Sequence, residues 1–225
     1  MRVFQVRGDK DLAWINCSEP DDAGLLDRAA RGLAEPDRGR PIALEVSDWD
    51  APGDWIETDC PHLAAYGPLL LSERAVSALG PLLAGAGYLL DTRLACDTRY
   101  KLFVCQREID ALDLERSDVR RFRSGNVSDV LRHELRAERL REQHVFRLKH
   151  CPSRVFVSDE VVGLVRRHGL TGFLLQEIWS SEAGGARLPP VVLPVERVRG
   201  EFARRAAAKR RALRESLARQ AADPG

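Results

Sequence analysis

Apolar residues along this chain recur in two rhythms, alternating and helical, and the switch between them happens twice in the same way. LLLSERAVSALGPLLAGAGYLLDT, residues 69–92, reads strand, Ser, acid, helix, Gly, strand. VFVSDEVVGLVRRHGLTGFLLQEI, residues 155–178, reads the same. In the first unit Ala75, Val76, Leu79, Leu82 and Leu83 fall at i, i+1, i+4, i+7 and i+8, one apolar helix face. Ser72 stands at the N-cap position, where its hydroxyl accepts from the free N–H groups of the first turn. Glu73 follows at the positive helix end. Pro81 predicts an early end or a kink. In the second unit Ser158 and Asp159 open the helix, and Val161, Val162 and Val165 form its buried stripe. Arg166, Arg167 and His168 occupy the last turn and Gly169 closes it. Ser72 aligns with Ser158, Val76 with Val162, Leu79 with Val165, Gly87 with Gly172 and Tyr88 with Phe173. Neither helix can bury its face alone, whereas two units on a shared sheet bury both. The pattern predicts an internal duplication; chance recurrence of a common order is the plain alternative.

The same rhythms predict strands at 2–6, 13–17, 41–47 and 98–106, and a helix at 22–33. Residues 111–122 read as an extended segment with a turn, 126–142 as a charged helix, and 144–148 as a strand. After a loop, 191–196 is short and extended, and Ala, Arg and Leu make everything from 197 a helix former. The expected architecture is α+β, with a mostly antiparallel sheet and packed helices. One body spans 1–196, and a basic C-terminal helix spans 197–225.

Composition adds that the chain is globular: 44% hydrophobic, 31% charged, with few aromatics among 225 residues. The start is charged at once, and the longest charge-free run, Ala75 to Leu90, falls short of the roughly 20 residues that cross a bilayer. A cytoplasmic protein without a membrane partner is expected. Cys17, Cys60, Cys96, Cys105 and Cys151 are odd in number and widely spaced, which predicts reduced thiols.

Net charge is +1, but it is unevenly spread. From Arg197 onward nine Lys/Arg face Glu201, Glu215 and Asp223, a balance of +6, which leaves −5 for residues 1–196. Positions 41–73 hold no Lys or Arg. Within them Asp48, Asp50, Asp54, Glu57 and Asp59 surround Trp49 and Trp55, an acidic, aromatic surface suited to a basic protein partner. The second charged feature is the tail, with Arg204, Arg205, Lys209, Arg210, Arg211 and Arg214. Its cations surround a narrow apolar stripe instead of gathering on one face, and aromatics are sparse, so nucleic acid is the weaker partner.

Catalytic signatures are missing. There is no phosphate-cradling G-x-x-x-x-G-K-[ST] and no G-x-S-x-G elbow, and GAGYLL lacks the third Gly of a dinucleotide fingerprint. His133-Glu134 fails the zinc-protease pattern because position 137 is Ala, so His133 is expected as a solvated helix residue. His144, His150 and Cys151 lack further ligands at metal spacing, and Asp110 and Asp113 read as a surface turn. No catalytic residue, metal or cofactor is expected.

ALDLERSDVRRF, then HVFRL, then VFVSDEVVGLVRRHGLTGFLLQEI, with LLLSERAVSALGPLLAGAGYLLD before them, carry a resemblance by their order. Residues 41–178 resemble a bacterial immunity-protein family of polymorphic toxin systems, first described in myxobacteria and long carried as a domain of unknown function. The resemblance implies a non-enzymatic protein that binds a cognate toxin, a secreted effector from a neighbouring gene, and occludes its active site. The alternative is a nucleic-acid-associated regulatory module acting through the Arg-rich helix.

Overall fold

The computed structural model describes residues 1–31, 33, 40–47, 57–64, 67–94, 99–185 and 191–192. The elements run β1 (Arg2–Cys17), α1 (Pro20–Ala30), β2 (Ile42–Ser47), β3 (Pro61–Leu63), β4 (Leu69–Ser72), α2 (Glu73–Ala84), β5 (Gly87–Leu94) and β6 (Tyr100–Cys105). There follow β7 (Glu108–Ile109), β8 (Asp118–Arg121), β9 (Val127–Arg132), β10 (Val145–Leu148), β11 (Cys151–Ser158), α3 (Asp159–Arg167), β12 (Phe173–Ser180) and β13 (Val191–Val192). Among the described residues eleven strands join one curled, barrel-like sheet that nearly closes, and β8–β9 form a separate hairpin.

β1 is the spine. The two strands expected at 2–6 and 13–17 are one continuous strand. Its first half lies antiparallel between β11 and β12. Its second half pairs antiparallel with β2 and parallel with β3. From β2 the sheet continues through β5 and β6 to β4; from β11 it continues through β10 to β7. The α+β class holds, and the sheet is mixed: pairs β1–β3, β2–β5 and β7–β10 are parallel among otherwise antiparallel neighbours.

Both repeated units form, and with the same topology. In the first, β4 and β5 flank β6, antiparallel to each. In the second, β11 and β12 flank β1, antiparallel to each. Helices α2 and α3 bury Ala75, Leu79, Leu83, Val161, Val162 and Val165 in one core with Phe4, Leu71, Phe103, Val157 and Leu175. Each such buried aliphatic side chain contributes roughly 1.5–3 kcal/mol. Two further cores lie on the opposite faces. α1 covers Ile15, Ile42, Leu44 and Leu102. The segment with β8–β9 covers Phe146, Leu148 and Phe156.

The aligned glycines are both demanded by close approach. A Cβ on Gly87 would meet the Val104 carbonyl oxygen at 2.0 Å. One on Gly172, whose φ is +80°, would meet Thr58 Oγ1 at 2.3 Å. An early end to α2 and a helix over 126–142 are both overturned. Pro81 neither ends α2 early nor stops it before Ala84. It sits on the exposed side, where Ser77, whose carbonyl loses its helical donor, is open to water. Residues 126–142 are not a helix: they hold β9 and a 3-10 turn, Ala137–Arg139. Val130 pairs with Val119 across the hairpin over the third core, and that burial outweighs the helical spacing of charges.

The helix starts are built alike. The Ser72 N–H donates to the Asp59 carbonyl (2.9 Å), and its Oγ donates to the Asp59 carboxylate (2.7 Å). Arg74, two residues on, pairs with the same carboxylate at 2.8 Å. In the second unit the Ser158 N–H donates to the His144 carbonyl (2.9 Å), and its Oγ meets His144 Nδ1 (3.1 Å). Glu160, two residues on, lies 3.2 Å from that ring nitrogen. Only Ser72 also accepts from the first turn, through the Ala75 N–H at 3.1 Å; Ser158 makes no capping bond.

Asp59 is 7% exposed, and its carboxylate also takes the Thr171 N–H (2.8 Å) and Thr171 Oγ1 (3.1 Å). It therefore joins the start of α2 to the loop that follows α3. Removing a buried carboxylate leaves these donors unmatched, so Asp59→Ala is expected to cost about 3 kcal/mol in urea unfolding. Arg74→Ala should cost about 1 kcal/mol, because the guanidinium is more than half exposed. Equal losses in the two variants would contradict this assignment.

Candidate functional site

The acidic stretch is only partly in view. Asp48, Trp49, Asp50, Asp54 and Trp55 lie outside the described residues, as do Arg204, Arg205, Lys209, Arg210, Arg211 and Arg214 of the basic tail. Glu57 is half-buried. Asp59 faces inward and is committed to Ser72, Arg74 and Thr171.

The hairpin β8–β9 is a feature that the sequence reading missed. Its inner side, Val119, Val127 and Val130, packs on the third core. Its tip runs Arg120-Arg121-Phe122-Arg123-Ser124-Gly125-Asn126, without a carboxylate. Phe122 is 62% exposed and is the exposed aromatic among the described residues. The tip is closed by the Phe122 N–H to Asn126 O (2.8 Å) and the Gly125 N–H to Phe122 O (2.9 Å). Arg121 Nη1 adds a bond to Gly125 O at 2.9 Å, and Gly125 supplies φ +86°. The signal that could have found it was RSGN between two Val-containing strands, a turn sequence inside what the charge spacing presented as a helix.

Beneath β9 lies a polar cleft of about 250 Å³, lined by Arg7, Asp129, Arg132, His133, Arg154 and Glu177 among others. Arg154 donates to Asp129 at 2.7 Å. Burial works against the Asp129 charge, yet the bond from Arg154 and that guanidinium's field hold its carboxyl below the usual range. His133 is not the solvated residue expected: it is 5% exposed and stands edge-on to Phe156. Its register at the end of β9 turns it into the third core. Burial, and then the nearby Arg154, push its pKa down to about 4. A larger open groove, about 840 Å³, lies beside α1 and includes Cys17, Leu26, Ala30 and Pro152; its Asp27 and Arg31 pair with each other at 3.3 Å.

Nucleophilic chemistry finds little material among the described residues. Cys17, Cys60, Cys105 and Cys151 are not joined in disulfides; Cys96 lies outside the described residues. Burial pushes Cys105 and Cys151 up to about 11 and raises Cys60 further, so these three are protonated at neutral pH. No group of His, Cys, Asp or Glu is arranged for a metal among the described residues. His144 is tied to Ser158 and Glu160, while Asp110 pairs with Lys149 and Asp113 binds the N–H groups of Glu115 and Arg116. No helix among the described residues is long and apolar enough to cross a membrane.

The His133 environment has a pH signature. Below pH about 6.5 the unfolded chain binds a proton that the folded chain refuses until pH about 4. Stability is therefore intact above that window and declines as pH falls through it, by about 3 kcal/mol in all. His133→Gln should flatten this part of the stability–pH curve measured by urea unfolding; an unchanged slope would remove His133 as its source.

Residues 94–180 match the family described as Immunity protein family (Imm11). That span begins at the end of β5 and runs through β6, the hairpin, most of the cleft's lining and the whole second unit to the end of β12. No curated protein matches the chain. The order of blocks in the sequence points to the same kind of family, and over 94–180 the chain is similar to the immunity protein family Imm11.

Proposed function

We propose that this protein is a cytoplasmic immunity protein that binds a cognate protein toxin, the product of a neighbouring gene, and occludes its active site. The observation that carries this reading is the family match over 94–180, which takes in the hairpin and the second unit. Protonated, buried thiols and a neutral, core-packed His133 are in keeping with a protein that acts by contact. One toxin-facing surface is the acidic stretch with Trp49 and Trp55. Asp59 is spent inside the fold, so Asp48, Asp50, Asp54 and Glu57 are the acids proposed to meet basic groups of the toxin.

We also read the two repeated units as one duplicated ancestor. Matching strand order, the Gly87/Gly172 close approaches and the Asp59–Ser72–Arg74 and His144–Ser158–Glu160 arrangements support this.

Co-expression with the neighbouring toxin gene should restore growth, and the purified chain should inhibit the toxin at one-to-one stoichiometry. Absence of protection, or inactivation by catalytic amounts of the chain, would overturn the reading. Trp49→Ala and Trp55→Ala should each weaken toxin binding about tenfold or more without lowering the melting temperature. Unchanged affinity in both would remove the acidic stretch as the contact.

A further inference from the structure

The tip of the β8–β9 hairpin carries an arrangement of groups that the fold itself does not use. A single exposed apolar side chain is ordinary on a protein surface. Here three additional facts coincide. First, Phe122 is flanked by guanidinium groups at 120, 121 and 123, with no carboxylate from 119 to 128. Second, Arg120 and Arg123 make no hydrogen bond or ion pair among the described residues, so their donors are available. The one carboxylate opposite Arg120 in the ladder, Asp129, takes its hydrogen bond from Arg154 and meets the Arg120 charge only through its field. Third, the tip is ordered before any partner arrives, by the bonds from Phe122 N–H, Gly125 N–H and Arg121 Nη1. An aromatic anchor with adjacent Arg, held rigidly, is the composition of an interface hot spot, and its ordering cost is met on folding.

We infer that the hairpin tip is a docking element that seats Phe122 in an apolar pocket rimmed by carboxylates on a partner protein. The inference rests on the immunity reading, in which that partner is the toxin. Charge complementarity selects the acidic rim: unpaired guanidinium groups beside the ring would be repelled by a basic surface and bond in pairs with carboxylates. The shape selects a protein over a nucleic acid. Single strands are held in basic grooves lined by successive aromatics, and this is one ring on a protruding turn. Val119, Val127 and Val130 hold the hairpin from below, so the tip can be altered without disturbing the core.

The full chain and the neighbouring-gene toxin provide the test, with binding measured by calorimetry and by association and dissociation rates. Phe122→Ala should weaken binding by about 30-fold or more, mostly through faster dissociation, with no change in melting temperature. Phe122→Tyr should retain most of the affinity. Arg120→Glu with Arg123→Glu should slow association and flatten its salt dependence. If the parent protects and the Phe122→Ala and double-charge variants bind within about twofold of it, the hairpin inference falls and the immunity reading stands. If the parent does not protect, both fall. Tip-dependent, salt-sensitive binding of a 30-base oligonucleotide would overturn the protein partner in favour of nucleic acid.

Discussion

The carboxylate of Asp59 is the constraint on which the arrangement of the two units depends. It lies on a buried segment, Thr58 to Cys60, that runs between the start of α2 and the loop after α3. Five hydrogen bonds reach its two oxygens, from Ser72, Arg74 and Thr171. The backbone on either side is used as fully. Thr58 O accepts from the Tyr100 hydroxyl (2.9 Å), Asp59 O from Ser72, and the Cys60 N–H donates to Thr171 O (3.1 Å). Buried backbone must find partners, and here both units supply them. Gly172 belongs to the same requirement, since any side chain there would strike Thr58.

Around that point β1 distributes the core. Its residues alternate between faces, so Phe4 and Val6 enter the core under α2 and α3 while Val3 enters the core under the hairpin. Its far end contributes Ile15 to the core under α1. One strand thus touches all three clusters, and pleat geometry alone decides which side chain goes where. Arg147 joins two of these regions from inside: Nη1 donates to Arg31 O at the end of α1 (2.9 Å) and to Pro152 O ahead of the β11 core residues (3.1 Å). Its charge also works against the burial that raises the Cys105 thiol.

The structure sorts its charges into groups that the fold consumes and groups that it does not. Asp59, Asp22 and Arg147 are buried and bonded into the frame. Arg120 and Arg123, on the hairpin tip, make no hydrogen bond or ion pair among the described residues, and the Arg120 charge reaches Asp129 only through its field. The distinction cannot be made from residue type, because Asp59 and Glu57 look equivalent in an acidic run. It is made by whether the backbone turns a side chain toward waiting donors or toward water.

The sequence by itself determined the two strand–helix–strand units, the Ser N-cap positions, the alignment of Gly87 with Gly172, and the family to which 94–180 is similar. These depend on local periodicity and on turn chemistry within a few residues, which a linear reading can see. Only the tertiary structure decided the rest. Whether 126–142 became a helix was settled by Val119, a partner on another strand, and so were the hairpin and the burial of His133. Strand direction was settled the same way: β2 and β5 pair in parallel although β3, β4 and α2 separate them along the chain, and no residue within either strand announces that direction. Pairing between strands chooses among local alternatives of similar energy, and the deciding partner lies outside the local window: eleven residues away for Val119 and Val130, fifty for Ile42 and Thr92.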